Sequence, residues 1–264
     1  MSRSFDKLLD VIDTLLGPEG CPWDREQTPH TLCDYVIEEA FELVEAIRDG
    51  KPDEAAEELG DLMFLLCFIS RCFQKEEAGF TMDDSLDMIR RKMIRRHPHV
   101  FGEETVDGAG EVLTNWEKIK RAEKADAAGE NEPPKGVYSS LPKGLPPLLR
   151  AYRIHSKAAR NGFTWATDAD LESQLESEWK EWQEAAASGD QQRKEEEFGD
   201  YLFTLVELGR RHQIKANSAL HDANVKFLNR FNTMEKVVQA QDRDVADLDL
   251  DALNALWDAV KGKE

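Results

Sequence analysis

At 264 residues with a formal net charge of −19, the chain is too acidic to bind a nucleic-acid backbone directly, because that surface demands a basic face. Apolar residues make up 41% and charged residues 33%, enough for packed cores. With few β-branched or aromatic runs the class reads as all-α. No stretch approaches the ~20 apolar residues of a membrane span, and the opening Met1-Ser2-Arg3-Ser4-Phe5-Asp6 lacks the apolar segment of a signal peptide. Cys21, Cys33, Cys67 and Cys72 fall in the first half without a CxxC pair, which reads as reduced, partly buried thiols rather than disulfides or zinc ligands. The expectation is a soluble cytoplasmic protein with no membrane partner.

In chain order, Phe5, Leu8, Leu9, Ile12, Leu15 and Leu16 recur at helical spacing and predict a short amphipathic helix over 5–16, stopped by Gly17-Pro18. The loop Gly20-Cys21-Pro22-Trp23-Asp24 follows, its large aromatic suited to plugging the end of a bundle. Helices are predicted from about Thr31 to Arg48 and from about Asp53 to Lys75. Gly50-Lys51-Pro52-Asp53 reads as a stop, a turn and a start between them. The middle of the second helix is apolar on nearly all sides, so it is expected to be buried within a bundle or against a partner subunit. A third helix is predicted from Met82 to Arg96 and a fourth from near Glu111.

Two acid pairs organise this pattern. Glu39 and Glu42 on the first long helix, and Glu58 and Asp61 on the second, are each three residues apart and so share a helix face. Folding back at the turn brings the faces together, where four carboxylates repel unless a cation sits between them. The pattern recurs 139 residues on, Glu39 as Glu178, Glu42 as Glu181, Glu58 as Glu197 and Asp61 as Asp200, with Gly50 matched by Gly189. The chain is read as an internal duplication. It comprises a module over 1–121, a linker over 122–147 rich in Ala, Glu, Gly, Lys and Pro, and a module over 148–264.

Downstream of each acid set lie further paired elements. Lys92 and Arg96 recur as Lys226 and Arg230 at the same i, i+4 spacing, and Trp116 and Lys120 recur as Trp257 and Lys261. Two readings stay open for each. The cations either complement a helix C-terminus or face an anion such as phosphate. The tryptophans either pack a core or stack near a base, with the lysines at phosphate or ribose oxygens. His97 and His99 have no repeated counterpart and are not expected to be ligands.

The ligand chemistry narrows the metal. None of the six histidines has a glutamate three residues before it, which argues against a carboxylate-bridged di-iron bundle. No histidine or cysteine cluster suits zinc. All-oxygen ligation points to Mg²⁺, with Mn²⁺ as a substitute, and such ions accompany phosphate substrates. There is no Walker-type loop, and no Ser-His-Asp or Cys-His arrangement can be assigned.

The series Glu38-Glu39-x-x-Glu42 with Glu58-x-x-Asp61 resembles the signature of the MazG family of all-α nucleoside triphosphate pyrophosphohydrolases. Cys21-Pro22-Trp23-Asp24, Arg95-Arg96-His97-Pro98-His99-Val100-Phe101, Trp116-Glu117-x-x-Lys120, Ser140-Leu141-Pro142 through Leu149-Arg150-Ala151, and Gly162-Phe163-x-Trp165 extend the likeness over nearly the whole chain. The resemblance implies tandem four-helix modules in a homodimeric bundle, and Mg²⁺-dependent hydrolysis of ribo- and deoxynucleoside triphosphates, ATP among them, to the monophosphate and pyrophosphate. It implies metal ligation by Glu39, Glu42, Glu58 and Asp61, and by Glu178, Glu181, Glu197 and Asp200. Nucleotide contacts are implied at Lys226, Arg230, Trp257 and Lys261, with Lys92, Arg96, Trp116 and Lys120 as their counterparts, and catalysis at the second acid set with Lys226 and Arg230. The physiological role it implies is the clearing of unwanted nucleotides. Ser177 stands where the pattern has the first glutamate, occupied by Glu38 in the first module. The alternative is a nucleotide-sensing or dimerisation protein with one or both modules degenerate.

Overall fold

The computed structural model describes residues 3–75, 79–127 and 136–262. Among these the secondary structure is helical, with no strand. The chain divides into two compact units, Met1–Glu132 and Pro133–Glu264.

Unit one begins with α1 (Arg3–Leu15) and the short α2 (Pro22–Glu26), followed by α3 (Cys33–Arg48) and α4 (Pro52–Phe73). These last two form an antiparallel hairpin, the main packing contact of the unit. Its turn is local chemistry. Gly50 takes φ +66°, a left-handed conformation that side-chain-bearing residues resist. Pro52 then opens α4 at a position whose missing N–H costs no helical bond. Ile12 of α1, Leu32, and Leu65, Cys67, Phe68 and Cys72 of α4 make the buried core. Arg71 of α4 reaches back to Asp13 of α1 at 2.8 Å.

The unit continues with α5 (Met82–Arg96), α6 (Pro98–Phe101) and α7 (Ala109–Ala127). Thr81 and Asp84 cap the start of α5 reciprocally. The helix α7 runs on to Ala127, into the stretch expected as linker, because the residues from Ala122 onward are good helix formers and Glu123 is tied to α5. Pro133-Pro134 lie outside the described residues.

Unit two contains α8 (Pro147–Arg160), α9 (Asp168–Ser188), α10 (Gln191–Arg211), α11 (Ala216–Gln239), a single 3-10 turn (Val245–Asp247) and α12 (Leu250–Lys261). Thr167 and Asp170 cap α9. Gly189, at φ +79°, closes it, and Asp190 caps α10 by accepting from the Arg193 N–H. The α9–α10 hairpin thus repeats the α3–α4 arrangement, again as the main packing contact of its unit.

Several expectations change in detail. The apolar stripe of α4 is buried on one side only. Leu59, Met63 and Leu66 are exposed, as are Ile37, Phe41, Val44 and Ile47 of α3. A sequence pattern does not distinguish burial within a chain from burial between chains. Trp23 plugs no bundle end; it is 53% exposed and meets Tyr35 edge-on, with ring centroids 6.1 Å apart. The four cysteines form no disulfide; Cys67 and Cys72 are buried, Cys21 is half-buried and Cys33 exposed.

Candidate active site

In unit one the hairpin places Glu39 and Glu42 of α3 against Glu58 of α4, so that one oxygen from each lies within 4.8 Å of the others. The repulsion shows in the proton affinities. Burial, then the charges of Asp61 and Glu42, raise the Glu39 carboxyl above its ordinary range. Burial, then Glu42, raise Glu58 likewise. Glu39 and Glu58 share a hydrogen bond that favours the ionised form of the first and the protonated form of the second. Asp61 is felt electrostatically but falls outside the converging three.

Unit two brings together Glu178 of α9 with Glu197 and Asp200 of α10 within the same 4.8 Å. The surroundings differ. Gln174 donates from Nε2 to Glu178 at 2.8 Å, and the Arg193 Nε lies 3.6 Å from Glu197. The Ser177 hydroxyl donates to Glu181 at 2.8 Å, and Glu181 is outside the converging three. Arg193 was not singled out in the sequence. Its signal is the i, i+4 spacing to Glu197 on one face of α10.

Both sets fit a hard divalent cation. They contain carboxylates alone, with no histidine or cysteine, and converging acceptors of like charge are stabilised by a positive ion with oxygen preference. The donor chemistry suits Mg²⁺ or Mn²⁺ equally.

The cation and tryptophan elements meet in each unit. The Arg96 guanidinium stands 5.4 Å from the Trp116 ring centroid, and the Arg230 guanidinium stands 5.7 Å from that of Trp257. Phe227 packs against Trp257 at 5.1 Å, and His97 meets Trp116 edge-on at 4.9 Å. Each tryptophan thus packs against a neighbouring ring and lies under an arginine guanidinium. Lys92 and Lys120 are half-buried; Lys226 and Lys261 are exposed.

Glu123 is the partner the sequence concealed. Its Oε2 accepts from Arg96 Nη2 at 2.6 Å and its Oε1 from Arg95 Nε at 2.6 Å. The Arg96 hydrogen bond, outweighing burial and joined by Arg95, holds the Glu123 carboxyl down at about 2. The residue lies in the stretch that composition assigns to a linker, so no local signal points to it.

The MazG nucleotide pyrophosphohydrolase domain matches residues 27–101, which span α3 to α6 and include the first acid set. A nucleoside triphosphate pyrophosphohydrolase of Escherichia coli is 38% identical over 265 residues, covering 99% of this chain and 98% of that protein. The chain belongs to the MazG family. A second member, the nucleoside triphosphate pyrophosphohydrolase/pyrophosphatase MazG of Thermotoga maritima, is 37% identical over 98% of this chain and 96% of its own length. A nucleoside triphosphate pyrophosphohydrolase of Mycobacterium tuberculosis is 34% identical over 164 residues, 61% of this chain and 47% of that protein. For this MazG chain the two full-length relatives thus extend the similarity past the matched domain into unit two, where the second acid set lies. No helix among the described residues is long and apolar enough to cross a membrane.

Proposed function

We propose that the chain hydrolyses ribo- and deoxynucleoside triphosphates to nucleoside monophosphate and pyrophosphate with Mg²⁺. We also propose that its two units are copies of one helical module and that it acts as a homodimer. The observation that carries the reading is the convergence of three carboxylate oxygens from two helices in each unit, within 4.8 Å. Membership of the MazG family supports the substrate class.

Glu39, Glu42 and Glu58, with Asp61 beside them, would hold the ion in unit one. Glu178, Glu197 and Asp200 would hold it in unit two, with Glu181 one turn along and outside the set. A bound divalent ion supplies positive charge that screens the triphosphate and stabilises the departing pyrophosphate. The residues of the chain do the rest. Water attacks the α-phosphorus, the bond from that phosphorus to the bridging oxygen breaks, and the oxygen leaves with pyrophosphate. The proton lost by the water passes to a carboxylate beside the set. In unit one that group is Glu38. In unit two, where Ser177 takes its place, it is Glu181, oriented by the Ser177 hydroxyl. Lys226 and Arg230 on α11 stabilise charge developing on the phosphates, with the Arg230 guanidinium held over Trp257. Arg193 beside Glu197 adds a further cation. Turnover is assigned to unit two on this fuller set of cations.

The test is pyrophosphate release from a panel of nucleoside triphosphates, comparing wild type with Glu58→Ala and Glu197→Ala. The expected result is loss with Glu197→Ala, the protein remaining folded by circular dichroism. Near-normal activity in the Glu58→Ala, Glu197→Ala double variant would overturn the carboxylate assignment. Tight nucleotide binding without any pyrophosphate release would favour a sensor.

A further inference from the structure

Unit one contains a cavity of about 230 Å³ lined by Trp23, Asp24, Tyr35 and Phe68, with Glu39 and Asp61 also in its wall. That volume is below the ~300 Å³ at which pockets for drug-sized ligands begin, so it suits a base and its sugar rather than a whole nucleoside triphosphate. Two of its residues belong equally to the acid cluster. A base lying in the cavity against these aromatic side chains therefore directs its phosphates toward the carboxylates.

The polar groups of the cavity narrow the base. Among the described residues, the Asp24 carboxylate has no hydrogen-bond or ion-pair partner, and neither has the Tyr35 hydroxyl. An ionised carboxylate only accepts hydrogen bonds. Guanine is the common base whose pairing edge carries two adjacent donors, a ring N–H and the neighbouring amino N–H, and so pairs with a carboxylate in two-pronged fashion. Adenine and cytosine offer one donor beside a ring-nitrogen acceptor. Uracil and thymine offer one donor flanked by carbonyl oxygens, which a carboxylate repels.

Unit two lacks these features. In the corresponding loop Trp165 is followed by Ala166 where Trp23 is followed by Asp24. The position of Phe68, 139 residues on, is Glu207, buried and engaged by Arg210 at 2.6 and 2.8 Å and by Thr164 at 3.2 Å.

The geometry points to a guanine-selective nucleotide pocket in unit one, with Asp24 as the residue that reads a base lying against Trp23 and Tyr35 in the cavity wall. This rests on the reading of the acid cluster as a nucleotide phosphate site. It makes the two units unequal, one selecting by base and the other lacking that selector.

Calorimetric titration of the full-length protein with guanosine, adenosine, cytidine, uridine and xanthosine monophosphates, in Mg²⁺, tests it. The guanosine nucleotide should bind about tenfold more tightly than the other common ones, the scale of a charge-assisted pairing. Asp24→Asn is nearly isosteric and should abolish that margin. It should also improve binding of the xanthosine nucleotide, because an amide offers one donor and one acceptor to the ring N–H and adjoining carbonyl of xanthine. Equal affinity for all common bases in wild type, or an unchanged preference in Asp24→Asn, would overturn the proposal. Pyrophosphate release that persists while binding shows no base preference would leave the hydrolase reading standing and remove the pocket. Asp24-dependent binding of guanosine monophosphate without pyrophosphate release from any triphosphate would do the reverse.

Discussion

The Ser177 hydroxyl donates a 2.8 Å hydrogen bond to Glu181, one turn along α9. Ser177 replaces the counterpart of Glu38, and the hydroxyl that takes its place fixes the direction of the next acid. If Glu181 receives the proton of the attacking water, Ser177→Ala should lower kcat about tenfold, the scale of a hydrogen bond to a charged group. KM and divalent affinity should change little. Ser177→Thr should retain most of the activity. A large fall in Mn²⁺ affinity on Ser177→Ala, read by titration, would instead mark Glu181 as a ligand.

Glu58 sits in a cluster of like charges. In chelator, Glu58→Gln should raise the thermal midpoint by about a degree or two, because it removes a charge from the set without changing its shape. Mg²⁺ should stabilise the wild type through binding to the folded state, and the variant by less. Scanning calorimetry with and without Mg²⁺ checks both. A wild type indifferent to Mg²⁺ would contradict the cation assignment.

The Arg95–Glu123–Arg96 grouping carries a pH signature. The carboxyl of Glu123 is lowered from 4.5 to about 2 in the fold. Its stabilising contribution is therefore complete above the unfolded value and is lost as pH falls from about 4.5 toward about 2. Glu123→Gln should lower stability at pH 7 by on the order of 1 kcal/mol, given the partial exposure of the pair. That deficit should shrink through the same window. Denaturant titrations of both proteins at pH 7 and pH 3 measure it.

Burial pushes the Glu207 carboxyl up, and its hydrogen bonds and charge pairing with Arg210 outweigh this and leave it below its ordinary range. Burial lowers His155, whose Nε2 lies 3.0 Å from the Phe203 carbonyl and donates to it. Glu207→Ala leaves Arg210 without this partner in a half-buried site, and should cost about 3 kcal/mol. Glu207→Gln should cost less. Urea unfolding with an unchanged slope gives the comparison.

Phe41 is 58% exposed on a helix face shared with Ile37 and Val44. An apolar face of that kind marks an association surface, in keeping with the proposed homodimer. Light scattering should give wild type about twice 30.0 kDa, and Phe41→Glu should shift it toward the single chain. A wild-type monomer would remove the dimer from the proposal.

The sequence by itself determined what depends on neighbours along the chain. The 3.6-residue period placed α1, α3, α4 and α5 within a few residues. Gly50-Lys51-Pro52 specified the fold-back, and the i, i+3 spacing put Glu39 with Glu42 on one face. Such features are local because helix hydrogen bonds and turn conformations close within four residues. Only the tertiary structure decided which acids converge. Glu42 rather than Asp61 joins Glu39 and Glu58 in unit one, whereas Asp200 rather than Glu181 joins Glu178 and Glu197 in unit two. It also decided that Glu123 belongs to Arg95 and Arg96, 28 and 27 residues away, that Trp23 borders a cavity, and that Glu207 is buried where unit one has Phe68. These outcomes depend on side-chain rotamers and on contacts between helices distant in sequence. Periodicity identifies the face a side chain occupies; packing determines what it meets there.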